Sequence, residues 1–396
     1  MPEPRAPMPL QSINFSLFLF VYYAYAGTFG TYATLYFAAR GLTVPQIGVL
    51  ISLIPVMRIV GPNLWGWAAD RSARRVLVMR LTALGALLSF GAIFVADSYL
   101  QFFIVMMLVN LFASALSPLC DALMLAEMRG DLSNYGKLRL WGSLGFIAAV
   151  VLAGYGLEWF GVEALLGLTF ALLLLVFGAS LRIGETAHPV RAHDTPPLWS
   201  VLRKGEVVAF FVSAALMCGA HMCLYAFYSL YLARAGYGKP LIGAMWALGV
   251  VAEVAFFYFQ SHVFARFGAR RVMLFAFGVA LLRFAITGAA PGLLWVLIAA
   301  QLMHAATFAA HHSACVITMQ RWFAGPLQAS GQALYMSVAY GVGCTLGGLV
   351  LTLCWDRVGP QHMFYAAAAM TLAGAGAAWY CFHRQDAGAG APGLMV

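Results

Sequence analysis

The second half of this chain repeats the first. Leu35, Tyr36, Ala38, Gly41, Pro45, Ile47 and Gly48 recur in register 195 residues later as Leu230, Tyr231, Ala233, Gly236, Pro240, Ile242 and Gly243. Gly136 and Gly331 keep the same offset. Ala73, Arg74 and Arg75 recur as Ala269, Arg270 and Arg271 after a slip of one residue. The offset is about half of the 396 residues, so whatever one half folds into, the other is expected to fold into as well.

The repeated material is apolar. Hydrophobic residues make up 63% of the chain and charged residues 9%, against roughly 25% charged in soluble domains. About twelve runs near the bilayer-spanning length follow one another, the first near 12–37 and the last near 361–383. Such runs are too long and too uniformly apolar for barrel strands, which leaves helices. The expected fold is therefore all-α: a membrane protein of about twelve transmembrane helices in two pseudo-symmetric halves. The halves are placed at 1–183 and 205–396. They are joined by a polar, proline-bearing linker at 184–204 that contains Pro189, Pro196 and Pro197. A duplicated chain of apolar spans is the pattern of a secondary transporter with a central site.

The net charge of +9 does not call for nucleic acid. Basic residues gather in alternate loops: Arg71, Arg74 and Arg75; Arg129 and Lys137; Arg203 and Lys204; Arg266, Arg270 and Arg271; then Arg384. The opposite loops hold fewer, beside Asp97, Glu158 and Glu163. This asymmetry puts both termini on the cytoplasmic side, and the first span is read as retained rather than cleaved. The seven cysteines lie within apolar runs without metal-like spacing and are expected as free thiols. No cofactor and no metal are expected. No phosphate-binding loop or nucleophile elbow is present, which argues against an ATP-driven pump or a membrane enzyme.

The stretch Gly66-Trp67-Ala68-Ala69-Asp70-Arg71-Ser72-Ala73-Arg74-Arg75 joins the second and third runs. It resembles the loop motif G-x-x-x-D-R-x-G-R-R of the major facilitator superfamily, with Ala73 where the last glycine is usual. Asp70 with Arg71, Arg74 and Arg75 can form a latch that opens and closes one face, or the arginines can serve as topology anchors. The second copy, around Arg266 to Arg271, has no acidic residue. Further stretches resemble the bacterial 3-phenylpropionate permease branch, related to lactose permease and to nucleoside–proton symporters. These are Pro118 to Leu123, Tyr135 to Ser143, Gly219-Ala220-His221 and Leu248 to Val254. That resemblance implies a proton-coupled uptake carrier in the inner membrane of a bacterium, working as a monomer. The substrate implied is a small organic molecule such as an aromatic monocarboxylate; the alternatives are a sugar or a nucleoside. A lipid-translocating or non-transporting membrane protein is the reading from another class.

Ionisable residues at membrane depth are costly, which makes each a functional candidate. Glu253 is a lone carboxyl amid Val, Ala and Phe, the kind of group a proton carrier needs, or else a structural interhelical bond. Its repeat counterpart is Arg58, which can hold a substrate carboxylate or act as counter-ion to Asp121. Asn110, Ser114, Ser117 and Asp121 share one helical face. Lys137 and Arg139 begin nearby and suggest either a charge network or a direct role of Asp121 in proton or substrate contact. Arg283 and His304 resemble the arginine and histidine of lactose permease's coupling cluster, but Thr307 stands where that cluster has a carboxylate. His221 and His311, with Tyr25 and Tyr32 on the first run, are candidates for a cavity with aromatic walls, or are packing residues.

Overall fold

The computed structural model describes residues 10–127, 132–184, 199–323 and 327–389. Most of the 184–204 linker thus lies outside the described residues, as do Arg129 and Arg191. Among the described residues there is no strand. The long helices in chain order are α1 (Leu10–Ala39), α2 (Val44–Ser72), α3 (Arg75–Val95), α4 (Tyr99–Glu127), α5 (Leu132–Phe160), α6 (Ala164–Leu181) and α7 (Gly205–Arg234). They continue with α8 (239–267) and α9 (269–289), which meet at Gly268, then α10 (Leu294–Gln320), α11 (Ser330–Val358) and α12 (Pro360–Ala389).

Nine described helical stretches are long and apolar enough to cross a membrane. That number differs from the twelve runs of the sequence reading because α8 and α9 enter as one stretch, and α1 and α12 fall outside the criterion. An all-helical fold follows from the solvent: in lipid every backbone N–H and C=O must bond within its own segment, and an α-helix does this.

The duplication is visible in the backbone. α1 ends with the Leu42 amide bonded to the Phe37 carbonyl and the Gly41 amide to Ala38. α7 ends with Tyr237 bonded to Leu232 and Gly236 to Ala233. These are two Schellman caps 195 residues apart, with Gly41 and Gly236 at φ 79° and 90°. At the ends of α2 and α8 the same offset pairs Ala73 with Gly268, at φ 51° and 73°. The structural register therefore runs through this loop without the one-residue slip that the Ala-Arg-Arg match suggested. Ala73 is the one described non-glycine residue with positive φ.

The chain forms two compact units. The first comprises Met1–Leu42, Val60–Val190 and Gly238–Ala247; the second comprises Thr43–Ile59, Arg191–Tyr237 and Leu248–Val396. Each takes in the opening part of one helix from the other half of the sequence. In the first unit, the Tyr32 hydroxyl donates to the Val150 carbonyl at 2.7 Å, with the Lys239 carbonyl 3.2 Å away, and Lys239 pairs with Glu158 at 3.2 Å. In the second, Gly48 lies against Thr352 and Gly341 against Ile59.

Within the second unit α7 is the central helix, buried along most of its length. It crosses α11 with no room for side chains between the backbones: a methyl on Gly347 would run into Gly219. Two residues beyond Gly219 stands His221, 2% exposed. α10 is not regular. Residues Ala305–Ala310 form a π-helical turn immediately after His304, and a second such turn, Met336–Gly343, interrupts α11. One extra residue per turn rotates the face that follows, and such insertions are frequent at functional sites.

Candidate functional site

The most polar buried region of the second unit gathers on Arg283 of α9, which is 1% exposed. A guanidinium has five N–H donors and no acceptor, so each neighbour within bonding distance must accept from it. Its Nη1 is 2.7 Å from His304 Nδ1 and 2.8 Å from Thr307 Oγ1, and its Nη2 is 2.8 Å from Gln301 Oε1. All three partners are on α10. Gln301, His304 and Thr307 stand at intervals of three residues on one helical face, the last within the π-turn.

These contacts fix the protons of both imidazoles. His304 Nδ1 accepts from Arg283, so its proton is on Nε2, which lies 2.6 Å from Glu253 Oε1 and donates to it. The His304–Glu253 contact is accordingly a hydrogen bond from a neutral ring, not an ion pair. On the other side, His221 Nδ1 is 2.8 Å from the Met217 carbonyl, which can only accept, so that nitrogen carries the proton. Nε2 of His221 then accepts the Thr307 hydroxyl at 3.2 Å. The chain of bonds runs outward from one cation: Arg283 to His304 to Glu253, and Arg283 to Thr307 to His221 to Met217. Arg283 Nε, also buried, has no hydrogen-bond partner among the described residues.

Helix packing sets this geometry. Gly249 is one turn before Glu253 on α8, and a methyl there would lie 3.3 Å from the His304 ring. The absent side chain lets α8 approach α10 closely enough for the 2.6 Å bond. The His221 ring is 5.3 Å from Phe284 and 5.9 Å from His304, centroid to centroid, and Phe308 stacks on His304 at 5.3 Å with 15° between planes. A small cavity with room for about one water lies beside the network, lined by Met217, His221, Tyr225, Thr307, Phe308 and Tyr340 among others. It offers aromatic faces and one polar wall.

Of the residues singled out in the sequence, Glu253, Arg283, His304 and His221 come together here. His311 lies at the cavity, its ring nitrogens 3.7 and 3.8 Å from Cys315 Sγ, while Phe277 meets it edge-on. In the sequence Thr307 stands out only as a missing carboxylate, and Gln301 does not stand out. The signal for Gln301 was its place three residues before His304 in an otherwise apolar run. His312 has no role legible in the sequence; its Nδ1 is 3.2 and 3.1 Å from the hydroxyls of Tyr335 and Tyr340. Arg58, in the second unit, is exposed and makes no ion pair among the described residues.

The first unit holds a second polar cluster. Arg139 Nη1 of α5 is 3.1 Å from Asp121 Oδ1 and 3.3 Å from Ser117 Oγ, and its guanidinium lies 5.0 Å over the Tyr23 ring. Asp121 is thus already supplied with a counter-ion from its own unit. Lys137 is exposed on the opening turns of α5. The shared face expected for Asn110 through Asp121 is interrupted where α4 turns at Ser114–Ala115, and Asn110 bonds back to the Met106 carbonyl at 2.7 Å. Tyr25 is buried beside Tyr22, 6.3 Å between rings, and Tyr32 is held by backbone carbonyls as described above.

In the loop after α2, Asp70 meets Arg75 at 3.4 Å, Arg71 lies 5.7 Å over Trp67, and Arg74 is exposed. Asp70 itself is 70% exposed, so this pair is worth at most about 1 kcal/mol in isolation. The described cysteines are free thiols, and no group of His, Cys, Asp or Glu among the described residues could hold a metal ion.

Comparison with known proteins agrees with this architecture. The model of the MFS_1 like family matches residues 12–366. A probable 3-phenylpropionic acid transporter of Escherichia coli is 31% identical over 375 residues, covering 92% of this chain and 97% of that protein. A maltose permease of Geobacillus stearothermophilus is 27% identical, covering 89% and 90%. Among solved structures, that of the nucleoside transporter NupG superposes with a TM-score of 0.83 at 17% identity, over 95% of this chain and 99% of that one. A helical, duplicated chain with a cationic network in its apolar interior, matched along nearly its whole length, belongs to the MFS_1-like family and is a multi-pass membrane transporter of the major facilitator type, not an enzyme.

Proposed function

We propose that this chain is a proton-coupled symporter that takes up an aromatic monocarboxylate of the 3-phenylpropionate kind by alternating access. The observation that carries the reading is the Glu253–His304–Arg283 network: one carboxyl, one buried cation and one neutral imidazole between them. Glu253 takes and releases the proton, and His304 ties its state to Arg283. The cation and the aromatic wall of Phe308, Tyr225 and Tyr340 suit an anion with a ring, the carboxylate pairing and the ring stacking. The relative named for 3-phenylpropionic acid supports this choice.

The Asp121–Arg139 cluster and Arg58 belong to the substrate path in this reading, and Asp70 with Arg71, Arg74 and Arg75 to a latch on the cytoplasmic face. Residues 1–183 and 205–396 form the two rocking halves joined by 184–204. Both termini are cytoplasmic, the protein sits in a bacterial inner membrane, and it works as a monomer.

A sugar or nucleoside symporter is the second reading, favoured by the likeness to a maltose permease and a nucleoside transporter. A ligand-stabilisation screen separates the two, because a ligand that binds the folded state raises its melting temperature. Aromatic acids are expected to shift the melting of purified protein, and maltose and nucleosides to leave it unchanged. The opposite pattern would replace the proposed substrate.

A further inference from the structure

We infer that Glu253 and the substrate's carboxylate are alternative counter-ions of Arg283, so that the carrier moves one proton with each monoanion and no net charge. The inference rests on the proposed aromatic-acid reading and specifies its coupling rule.

Arg283 is 1% exposed, and the ring between it and Glu253 is neutral because its Nδ1 accepts and its Nε2 donates. With Glu253 ionised the network sums to zero. When Glu253 takes a proton, its second oxygen can still accept from His304, but the guanidinium has lost its counter-charge in a site nearly closed to water. A buried charge without a partner is strongly disfavoured. One monoanion restores neutrality. Arg283 has a donor for it, since Nε–H is buried and unpartnered while Nη1 and Nη2 bond to His304, Thr307 and Gln301.

Four states follow. The empty deprotonated site and the site loaded with both proton and anion are neutral. The site with proton alone carries +1, and the site with anion alone carries −1. A closed, desolvated intermediate tolerates the two neutral states and resists the two charged ones, so neither a lone proton nor a lone anion leaks through. A neutral sugar or nucleoside gives no such rule, because its arrival leaves the charge where it was.

Facing Glu253 are His304 and His312 of α10, Arg283 of α9 and Tyr225 of α7. Around Arg283 are Gln301, His304 and Thr307 of α10 and Cys223, Tyr225 and Tyr228 of α7. His312 is engaged by the hydroxyls of Tyr335 and Tyr340 of α11. His221 is engaged by Thr307 and Met217. Glu253 is the one carboxyl in this set.

The test is calorimetric binding of 3-phenylpropionate and of its amide to the purified full chain, between pH 6 and 9, in paired buffers of different ionisation enthalpy. The acid is ionised throughout this range. The expected result is proton uptake that approaches one per anion at the upper end, an apparent Kd that rises about tenfold per pH unit there, and no binding of the amide. Glu253→Gln is expected to bind the anion with no proton uptake and no dependence on pH. The wild-type proton count stands even if that variant does not fold. Tight binding with no proton uptake overturns the inference and leaves the substrate reading intact; a count of two, pointing to His312, overturns the one-for-one rule. Binding of the amide as tight as that of the acid, or of nucleosides or maltose in place of aromatic acids, overturns both. So does a failure of every aromatic acid to bind.

Discussion

Thr307→Val keeps the volume of a buried side chain and removes its hydroxyl. That hydroxyl's two shorter bonds are the one it accepts from Arg283 Nη1 at 2.8 Å and the one it donates to His221 Nε2 at 3.2 Å; the His304 carbonyl lies 3.5 Å away. The first involves a charged donor and is worth about 1.5–3 kcal/mol; the second is neutral and worth about 0.5–1.5 kcal/mol. Thr307 is fully buried, and the valine variant is expected to lose about 2–4 kcal/mol of stability. Thr307→Ser makes the opposite trade. It keeps both bonds and deletes one methyl, at about 1 kcal/mol. Unfolding of the detergent-solubilised protein, followed by tryptophan fluorescence, should rank wild type above Ser above Val. A valine variant as stable as wild type, or less damaged than the serine variant, would refute the bonding role assigned to that hydroxyl.

Other positions give independent checks. Ala73 holds φ 51°, a left-handed conformation that favours glycine, so Ala73→Gly should raise stability by about 1 kcal/mol, read as a higher melting temperature; a decrease would show that the helix end relaxes differently. Tyr32→Phe removes a buried bond to the Val150 carbonyl and should cost about 1 kcal/mol in the same assay, whereas an unchanged midpoint would return that hydroxyl to the candidate ligand contacts. Asp70→Asn should change stability by less than about 1 kcal/mol because the pair is exposed. If Asp70 is a latch, its loss must instead appear as altered labelling of single cysteines from the two sides of the membrane, and unchanged labelling leaves the arginines as anchors.

The sequence made the helices legible because lipid leaves a spanning chain little choice, and it made the duplication legible because Gly41 and Gly236 hold positions few other residues can. Glu253, Arg283 and His304 stood out as charges or imidazoles in apolar runs. Their wiring was hidden. Thr307 lies three residues after His304, which the regular period already places nearby, but the π-turn over Ala305–Ala310 sets where each side chain points, and no residue type announces such a turn. Gln301 is uncharged and drew no notice. The loop register also needed the structure: Ala73 and Gly268 share a backbone conformation, not a side chain, so the match of Ala-Arg-Arg pointed one residue too far. On α1 the aromatic residues Tyr25, Phe29, Tyr32 and Tyr36 recur at helical spacing, but periodicity does not say which neighbour such a stripe faces; Phe29 meets Phe90 and Tyr36 meets Phe102 edge-on.

The central claim is that Glu253 couples proton entry to substrate accumulation. It is tested most directly by uptake of labelled 3-phenylpropionate into proteoliposomes, with protein-free liposomes subtracted, under an imposed inward proton gradient and, separately, under exchange with no gradient. Wild-type protein is expected to accumulate the acid above its external concentration and to lose that accumulation when the gradient is collapsed. Glu253→Gln is expected to exchange internal for external substrate and accumulate none. A Glu253→Gln variant that still concentrates the acid in response to the proton gradient would contradict the account.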